Sequence, residues 1–176
     1  MEDNYQNKVA EILIDIKSIR FSFEEPFTLT SGLKSPVYVD CRKIISYVKE
    51  RDIILNYAIK YFKKNKIEFD LLAGGETAGI PYAAFFSELL KKPKKNIRKK
   101  PKGFGKNQQI EGDFKKKQKA ILIEDLATDG GSKIIFLNAL QNAYLEITDI
   151  FVIFYYDIYD IKKTALGSFD VKIHSL

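Results

Sequence analysis

The sequence predicts an α/β fold, a central and mostly parallel sheet flanked by helices. Two observations carry this. Helix-patterned and strand-patterned segments alternate along the chain, as in parallel strands joined by crossover helices. Two of the apolar runs end in glycine-bearing segments, 74–81 and 124–132, and sheets of this kind bind ligands beyond the carboxyl ends of their strands. The length of 176 residues suits a single domain spanning 1–176.

The elements follow in order. Apolar side chains at 9, 12, 13, 16 and 19 give helical spacing over 8–19. Phe21 to Asp40 contains Pro26, Ser31-Gly32 and Ser35-Pro36, so it reads as short extended pieces joined by turns. Helical spacing returns over 50–64 through Ile53, Ile54, Tyr57, Ala58 and Tyr61. Asp70 to Ala73 is a short apolar run that stops at Gly74-Gly75, and helix-like sequence follows from Gly79 to Leu90. Lys119 to Ile123 reads as a strand, Ser132 to Asn142 as a helix, and Ile147 to Tyr156 as a strand rich in β-branched and aromatic residues.

Composition narrows the class. Apolar residues are 45% and charged residues 30%, an ordinary soluble profile. The single cysteine, Cys41, excludes an internal disulfide framework and reads as a packed small residue. His174, the one histidine, has no local partner for a triad or a metal site, and reads as structural or exposed. No stretch is apolar enough to span a membrane, and the polar start Met1-Glu2-Asp3-Asn4 is unlike a secretory signal, so a cytoplasmic location is expected.

The net charge is +6, but it is uneven. Lys91 to Lys119 holds twelve Lys and one Arg against Glu111 and Asp113, a local +11, while the remainder is −5. Such a segment is either a solvated surface run or a site for a polyanion. The part from Lys100 to Gly112 is expected to be a mobile loop.

Chemistry concentrates in Ala120 to Ser132. A strand delivers Glu124 and Asp125, a small loop follows, and a helix begins after Gly130 and Gly131. Loop N–H groups and a helix N-terminus can hold a phosphate dianion. Thr128 and Ser132 add hydroxyl donors. The two acids would repel that phosphate and suit sugar hydroxyls, or a magnesium ion, beside it. Phosphate at one end and diol at the other describes a ribose 5-phosphate.

This segment resembles the phosphoribosyl-pyrophosphate (PRPP) motif of type I phosphoribosyltransferases. Three more segments, Phe27 to Asp40, Ala73 to Ala84 and Ile97 to Gly112, are similar to the orotate phosphoribosyltransferase family, collinear and spread over nearly the whole chain. The resemblance implies the type I fold, with a small N-terminal hood within 1–45 and a flexible catalytic loop over 99–113. It also implies the reaction. Orotate attacks C1 of the ribose of PRPP, pyrophosphate leaves, and orotidine 5′-monophosphate forms for pyrimidine (UMP) synthesis. A basic loop closing over the leaving group would supply electrostatic stabilisation and exclude water.

Residue roles follow from the resemblance alone. Arg98, Lys99 and Lys102 match basic positions that contact PRPP. Lys99, Lys102 and Asp125 would carry catalysis, with Lys99 supplied by the neighbouring subunit of a homodimer. Glu124 and Asp125 would take the ribose hydroxyls. Leu126, Ala127, Thr128, Asp129, Gly130, Gly131 and Ser132 would hold the 5′-phosphate, and Gly74 to Thr77, including Glu76, the pyrophosphate side. Lys34, Tyr38, Val39 and Thr128 would meet orotate. No dedicated metal ligand is implied; Mg2+ would arrive mainly with PRPP.

The chain departs from the family in places. Phe104 stands where many members carry His. Thr30 and Ala78 replace lysines of one branch. No Arg follows Arg98 to hold the orotate carboxylate. Members commonly continue past the position of Leu176, which bears on the hood and the dimer. Two alternatives stay open: a phosphoribosyltransferase for another base, and a PRPP-binding regulator that binds nucleic acid. Against the latter, the bases are interleaved with Gly and Pro, and Phe104 is the one aromatic from Arg98 to Gly112.

Overall fold

A computed structural model describes residues 5–29, 32–101, 109–128, 130–158 and 160–176. The chain forms two compact units, 1–57 and 58–176.

In the first unit, α1 (Tyr5–Asp15) buries Val9 and Leu13. The apolar period continues to Ile19, but the helix does not. Lys17 turns to φ 54° and the Ser18 N–H reaches back to the Leu13 carbonyl at 2.8 Å. Ile19 thereby opens β1 (Ile19–Phe21). Three short strands follow, β2 (Phe27–Thr28), β3 (Lys34–Ser35) and β4 (Val37–Val39). They make two antiparallel pairs, β1 with β4 and β2 with β3, so the turn-punctuated segment is extended as expected. A 3-10 helix, Cys41–Ser46, buries Cys41 and Ile44. Next comes α2 (Val48–Lys64), whose second half belongs to the other unit.

The second unit is built on β5 (Leu71–Gly75), α3 (Gly79–Leu90), β6 (Lys94–Ile97), β7 (Ile110–Glu111), β8 (Lys119–Ala127), α4 (Gly131–Asn142), β9 (Glu146–Tyr155) and β10 (Lys172–His174). The sheet order is β10-β9-β8-β5-β6-β7, and every pairing is parallel except β6 with β7. Alternate residues bury to opposite faces. Leu71, Ala73, Ala120, Leu122, Ile150 and Val152 pack with Phe136, Leu137 and Leu140 of α4. On the opposite face Phe151 meets Phe62 and Phe86 edge to face, with centroids 4.8 and 5.7 Å away. Among the described residues, no helix is long and apolar enough to cross a membrane.

Three differences from the sequence expectation bear on the site. β8 runs through Glu124 and Asp125 to Ala127, keeping its register with β9. The lysine-rich run contains a strand, β6, in which Lys95 is buried and its stem lies against Gly112. Within the expected loop of 99–113, Ile110 and Glu111 return as β7 and pair with Ile97 and Asn96.

Candidate functional site

In the second unit, β5 and β6 end side by side and their neighbour β8 runs on past them to Ala127. Gly75 pairs with Ile97 and Gly74 with Ile123, so the segments after β5, β6 and β8 emerge at one end of the sheet. Those segments carry Glu76 and Thr77, Arg98 and Lys99, and Thr128 to Gly130, with Asp125 just before on the last residues of β8 and Gly131 and Ser132 just after at the start of α4. Lys102, Phe104 and Asp129 lie outside the described residues, as do Thr30 and Ser31.

The segment after β5 is tied to the one after β6. The Glu76 N–H donates to the Ile97 carbonyl at 2.9 Å, and the Lys99 N–H donates to the Glu76 carboxylate at 2.8 Å. The peptide between Glu76 and Thr77 is cis. Thr77 is exposed at the start of the turn into α3. Arg98 is clasped from the other side: its Nε and Nη2 both lie 2.9 Å from Glu111 Oε1. Its backbone carbonyl accepts from Gln109 Nε2 at 2.8 Å, and its N–H donates to the Gln109 carbonyl at 2.9 Å.

The acid pair divides. Asp125 is half-buried, whereas Glu124 is 5% exposed and turned inward. Glu124 continues the Ala120–Leu122 side of β8, which faces α4. Its Oε2 lies 3.6 Å from the Lys133 ammonium, and its Oε1 is packed where a Cβ on Gly75 or Gly79 would stand. Oε1 has no hydrogen-bond partner among the described residues. Burial pushes the Glu124 carboxyl up to about 8; Lys133 pulls it back, Asp125 raises it further, and Lys99 lowers it slightly. Of the two acids expected at the sugar, Asp125 is the one left half-buried at the edge of the protein, while Glu124 points into it.

After β8, Gly130 takes φ +79° at the N-cap of α4, and a Cβ there would stand 2.6 Å from the Leu166 side chain. Only glycine fits that turn without displacing Leu166. Thr128 is half-buried, and Gly131 and Ser132 are exposed in the first turn of α4.

Lys34, Tyr38 and Val39 belong to the first unit. Lys34 is exposed and donates to Thr28 Oγ1 at 2.6 Å. The Tyr38 ring is tilted against Phe27, with centroids 5.5 Å apart, and the Arg20 guanidinium stands 4.9 Å from its ring. The Val39 side chain is buried, which leaves its backbone as the part able to meet a ligand.

The basic run does not gather at one place. Arg98 and Lys99 follow β6, but Lys92, Lys117 and Lys119 line a cavity of about 600 Å³ at the amino ends of the strands, with Lys63, Lys66 and Phe69. There Lys92 donates to the Phe69 carbonyl at 2.5 Å, and Lys119 lies 3.9 Å from Glu68.

Two site residues escaped the sequence reading. Glu111 is one of two acids in the basic run, and its pairing with Arg98 depends on the antiparallel return of β7. Lys133 is 5% exposed and lies on the apolar stripe of Phe136, Leu137 and Leu140 at helical spacing. A lysine on a buried stripe is the signal that could have found it. Among the described residues, no group of three His, Cys, Asp or Glu side chains could hold a metal ion.

Comparisons with known proteins agree with this architecture. The chain is 44% identical over 169 residues to the orotate phosphoribosyltransferase of Ruegeria sp. (strain TM1040), covering 95% of this chain and 75% of that protein. An Aeropyrum pernix orotate phosphoribosyltransferase structure superposes with TM-score 0.81 at 24% identity, covering 95% of this chain and 91% of that one. Leishmania donovani UMP synthase gives TM-score 0.74 at 29% identity, covering 96% of this chain and 35% of that one. No protein-family model matches.

Proposed function

The chain belongs to the orotate phosphoribosyltransferase family, and we infer from that membership that it transfers the 5-phosphoribosyl group of PRPP to orotate, releasing pyrophosphate in pyrimidine biosynthesis. The observation that carries this reading into the fold is the adjacency of two strands at their carboxyl ends. The end of β5 and the start of α3 pack against β8, the Glu124 carboxylate lying against Gly75 and Gly79, so the segments that follow β5 and β8 leave from neighbouring strands. A substrate with a phosphate at each end of a ribose needs two such segments side by side.

The chemistry follows from charge placement. An orotate ring nitrogen gives up its proton and forms a bond to C1 of the ribose as the bond from C1 to the pyrophosphate oxygen breaks, the proton passing to the released pyrophosphate or to solvent. Positive charge grows on the ring and negative charge on the leaving group. Loop N–H groups from Ala127 to Ser132 and the start of α4 suit the 5′-phosphate. Asp125 suits the ribose hydroxyls, its carboxylate accepting their hydrogen bonds. Arg98, Lys99 and Lys102 suit the pyrophosphate as charge builds there. Lys34, Tyr38 and Val39 of the first unit, with Thr128, are the candidates for orotate.

Magnesium is read as entering with PRPP. Mg2+ commonly binds through one or two carboxylates, substrate phosphates and water, so Asp125 is the residue here with the right donor. When bound, the ion would neutralise part of the pyrophosphate charge.

A homodimer with a loop lysine supplied in trans is the arrangement the resemblance suggests. Lys99 has its backbone anchored to Glu76 of its own chain, which supports a contribution of Lys99 to its own site as well. Mixed dimers of Lys99→Ala and Asp125→Asn protomers would separate the two: activity recovered on mixing supports the trans role.

The reaction is tested by following orotate absorbance with PRPP and magnesium, with uracil, adenine and hypoxanthine as controls. PRPP-dependent loss of orotate alone is expected, and Asp125→Asn should lower kcat/KM by roughly a hundredfold. Turnover of another base instead, or of none, would overturn the assignment.

A further inference from the structure

We propose that Lys133 is a positioning residue that fixes Leu126 of β8 and Gly130 at the start of α4, the two flanks of the anion-binding segment. This rests on reading that segment as the 5′-phosphate site. Lys133 bonds at once to a residue of β8 and to the N-cap of α4. Its backbone N–H donates to the Gly130 carbonyl at 2.9 Å, and its ammonium donates to the Leu126 carbonyl at 2.6 Å. Ser132 Oγ lies 3.4 Å from the same ammonium, and Glu124 Oε2 lies 3.6 Å away.

The energetics require a reason for a charge here. Lys133 is 5% exposed on a helix face otherwise built from Phe136, Leu137 and Leu140. A leucine or methionine would pack there without the desolvation cost of a buried ammonium. The lysine does two things an apolar residue cannot. It turns the Leu126 carbonyl toward itself, so that this acceptor does not face an incoming phosphate. It also places a positive charge under a loop whose N–H groups already favour an anion. Glu124 Oε2 lies beside that ammonium and, through the contact of its Oε1 with Gly75 and Gly79, joins the same clasp to the end of β5 and the start of α3.

The test compares the parent enzyme with Lys133→Met and with the double variant Lys133→Met/Glu124→Gln, which leaves no unpaired buried charge. Ribose 5-phosphate affinity is measured by calorimetry, and KM for PRPP and for orotate by steady-state kinetics, with circular dichroism to establish folding. The expected result is a ribose 5-phosphate Kd and a PRPP KM raised about tenfold or more in both variants, with orotate KM within about threefold of the parent. A purely structural role would not separate the two substrates in this way. A folded double variant whose ribose 5-phosphate Kd and PRPP KM stay within about twofold of the parent would overturn the proposal. If neither neutral variant folds, Lys133→Arg decides. Its larger planar head cannot keep the same bond to Leu126, so PRPP KM should rise about threefold or more, and an unchanged KM overturns the proposal. The titration needs no turnover, so an enzyme inactive on orotate would sink the activity assignment while leaving the Lys133 outcome readable.

Discussion

Arg98 and Glu111 face each other from opposite ends of the lysine-rich loop, both guanidinium contacts converging on one carboxylate oxygen at 2.9 Å. The pair is about one-third exposed on each side, so its own stabilisation is modest, roughly 1 kcal/mol or less. Its consequence is geometric: it closes the base of the loop through β6 and β7. If Arg98 also contacts pyrophosphate, removing Arg98 and removing Glu111 should differ. Arg98→Ala is expected to raise the PRPP KM about tenfold or more, and Glu111→Gln less than about threefold. Equal effects in steady-state assays would mean that the arginine serves only the clasp.

The buried Glu124 carboxyl sets a pH dependence of stability. Its folded value of about 8 lies above the ordinary 4.5, because burial disfavours its charged form. The folded protein therefore holds a proton that the unfolded chain gives up between about pH 4.5 and 8. The contribution is fully present below pH 4.5 and is lost as pH rises through 8, by on the order of a few kcal/mol. Glu124→Gln has no such proton to lose. Melting curves should coincide with the parent near pH 5 and lie above it at about pH 8.5. Parallel curves across that range would show that Glu124 is charged throughout.

Gly79 offers a sharper packing test. A Cβ at this position would run into the Ile123 carbonyl oxygen and the Glu124 carboxylate. Its φ is not in the left-handed region, so the objection is space rather than backbone strain. The first obstacle is backbone in the middle of a sheet and cannot swing aside. Gly79→Ala should cost about 2–3 kcal/mol in urea unfolding despite alanine's better helix propensity. A stabilised or neutral variant would mean that β8 and α3 yield more easily than this contact implies.

Much of this was legible from local pattern. The apolar runs marked β5, β8 and β9, and the glycines marked where they end. What pattern could not supply was pairing. β6 is lysine-rich and becomes a strand because β5 on one side and β7 on the other satisfy its backbone. The end of α1 was missed because Ile16 and Ile19 keep the helical period, while the turn at Lys17 is set by the pairing of Ile19 with Val39. The acid pair was found, but its division was not. Adjacent residues on a strand face opposite ways, and it is the packing of the Ala120–Leu122 side of β8 against α4, where Lys133 stands, that turns Glu124 inward.

His174 shows the same dependence on tertiary partners. Nothing near it in sequence suggests a role, yet its Nε2 lies 2.6 Å from Asp149 Oδ1 and its Nδ1 lies 3.2 Å from the Tyr61 hydroxyl. Burial, with Asp149 adding to it, pushes the Tyr61 hydroxyl above its ordinary value, so it keeps its proton to donate. The arrangement that satisfies all three groups has Tyr61 donating to Nδ1 and Nε2–H donating to the carboxylate. The chain of bonds ties β10 to β9 and to α2, away from the carboxyl-end loops. His174→Ala should therefore destabilise by about 1–3 kcal/mol, because it strands a partly buried carboxylate, while kcat and both KM values stay at parental levels. Adding Asp149→Asn to His174→Ala should cost less than Asp149→Asn costs alone, since the two act as one unit. Additive losses in thermal unfolding would separate the pair, and a fall in kcat with little loss of stability would move His174 into the active site.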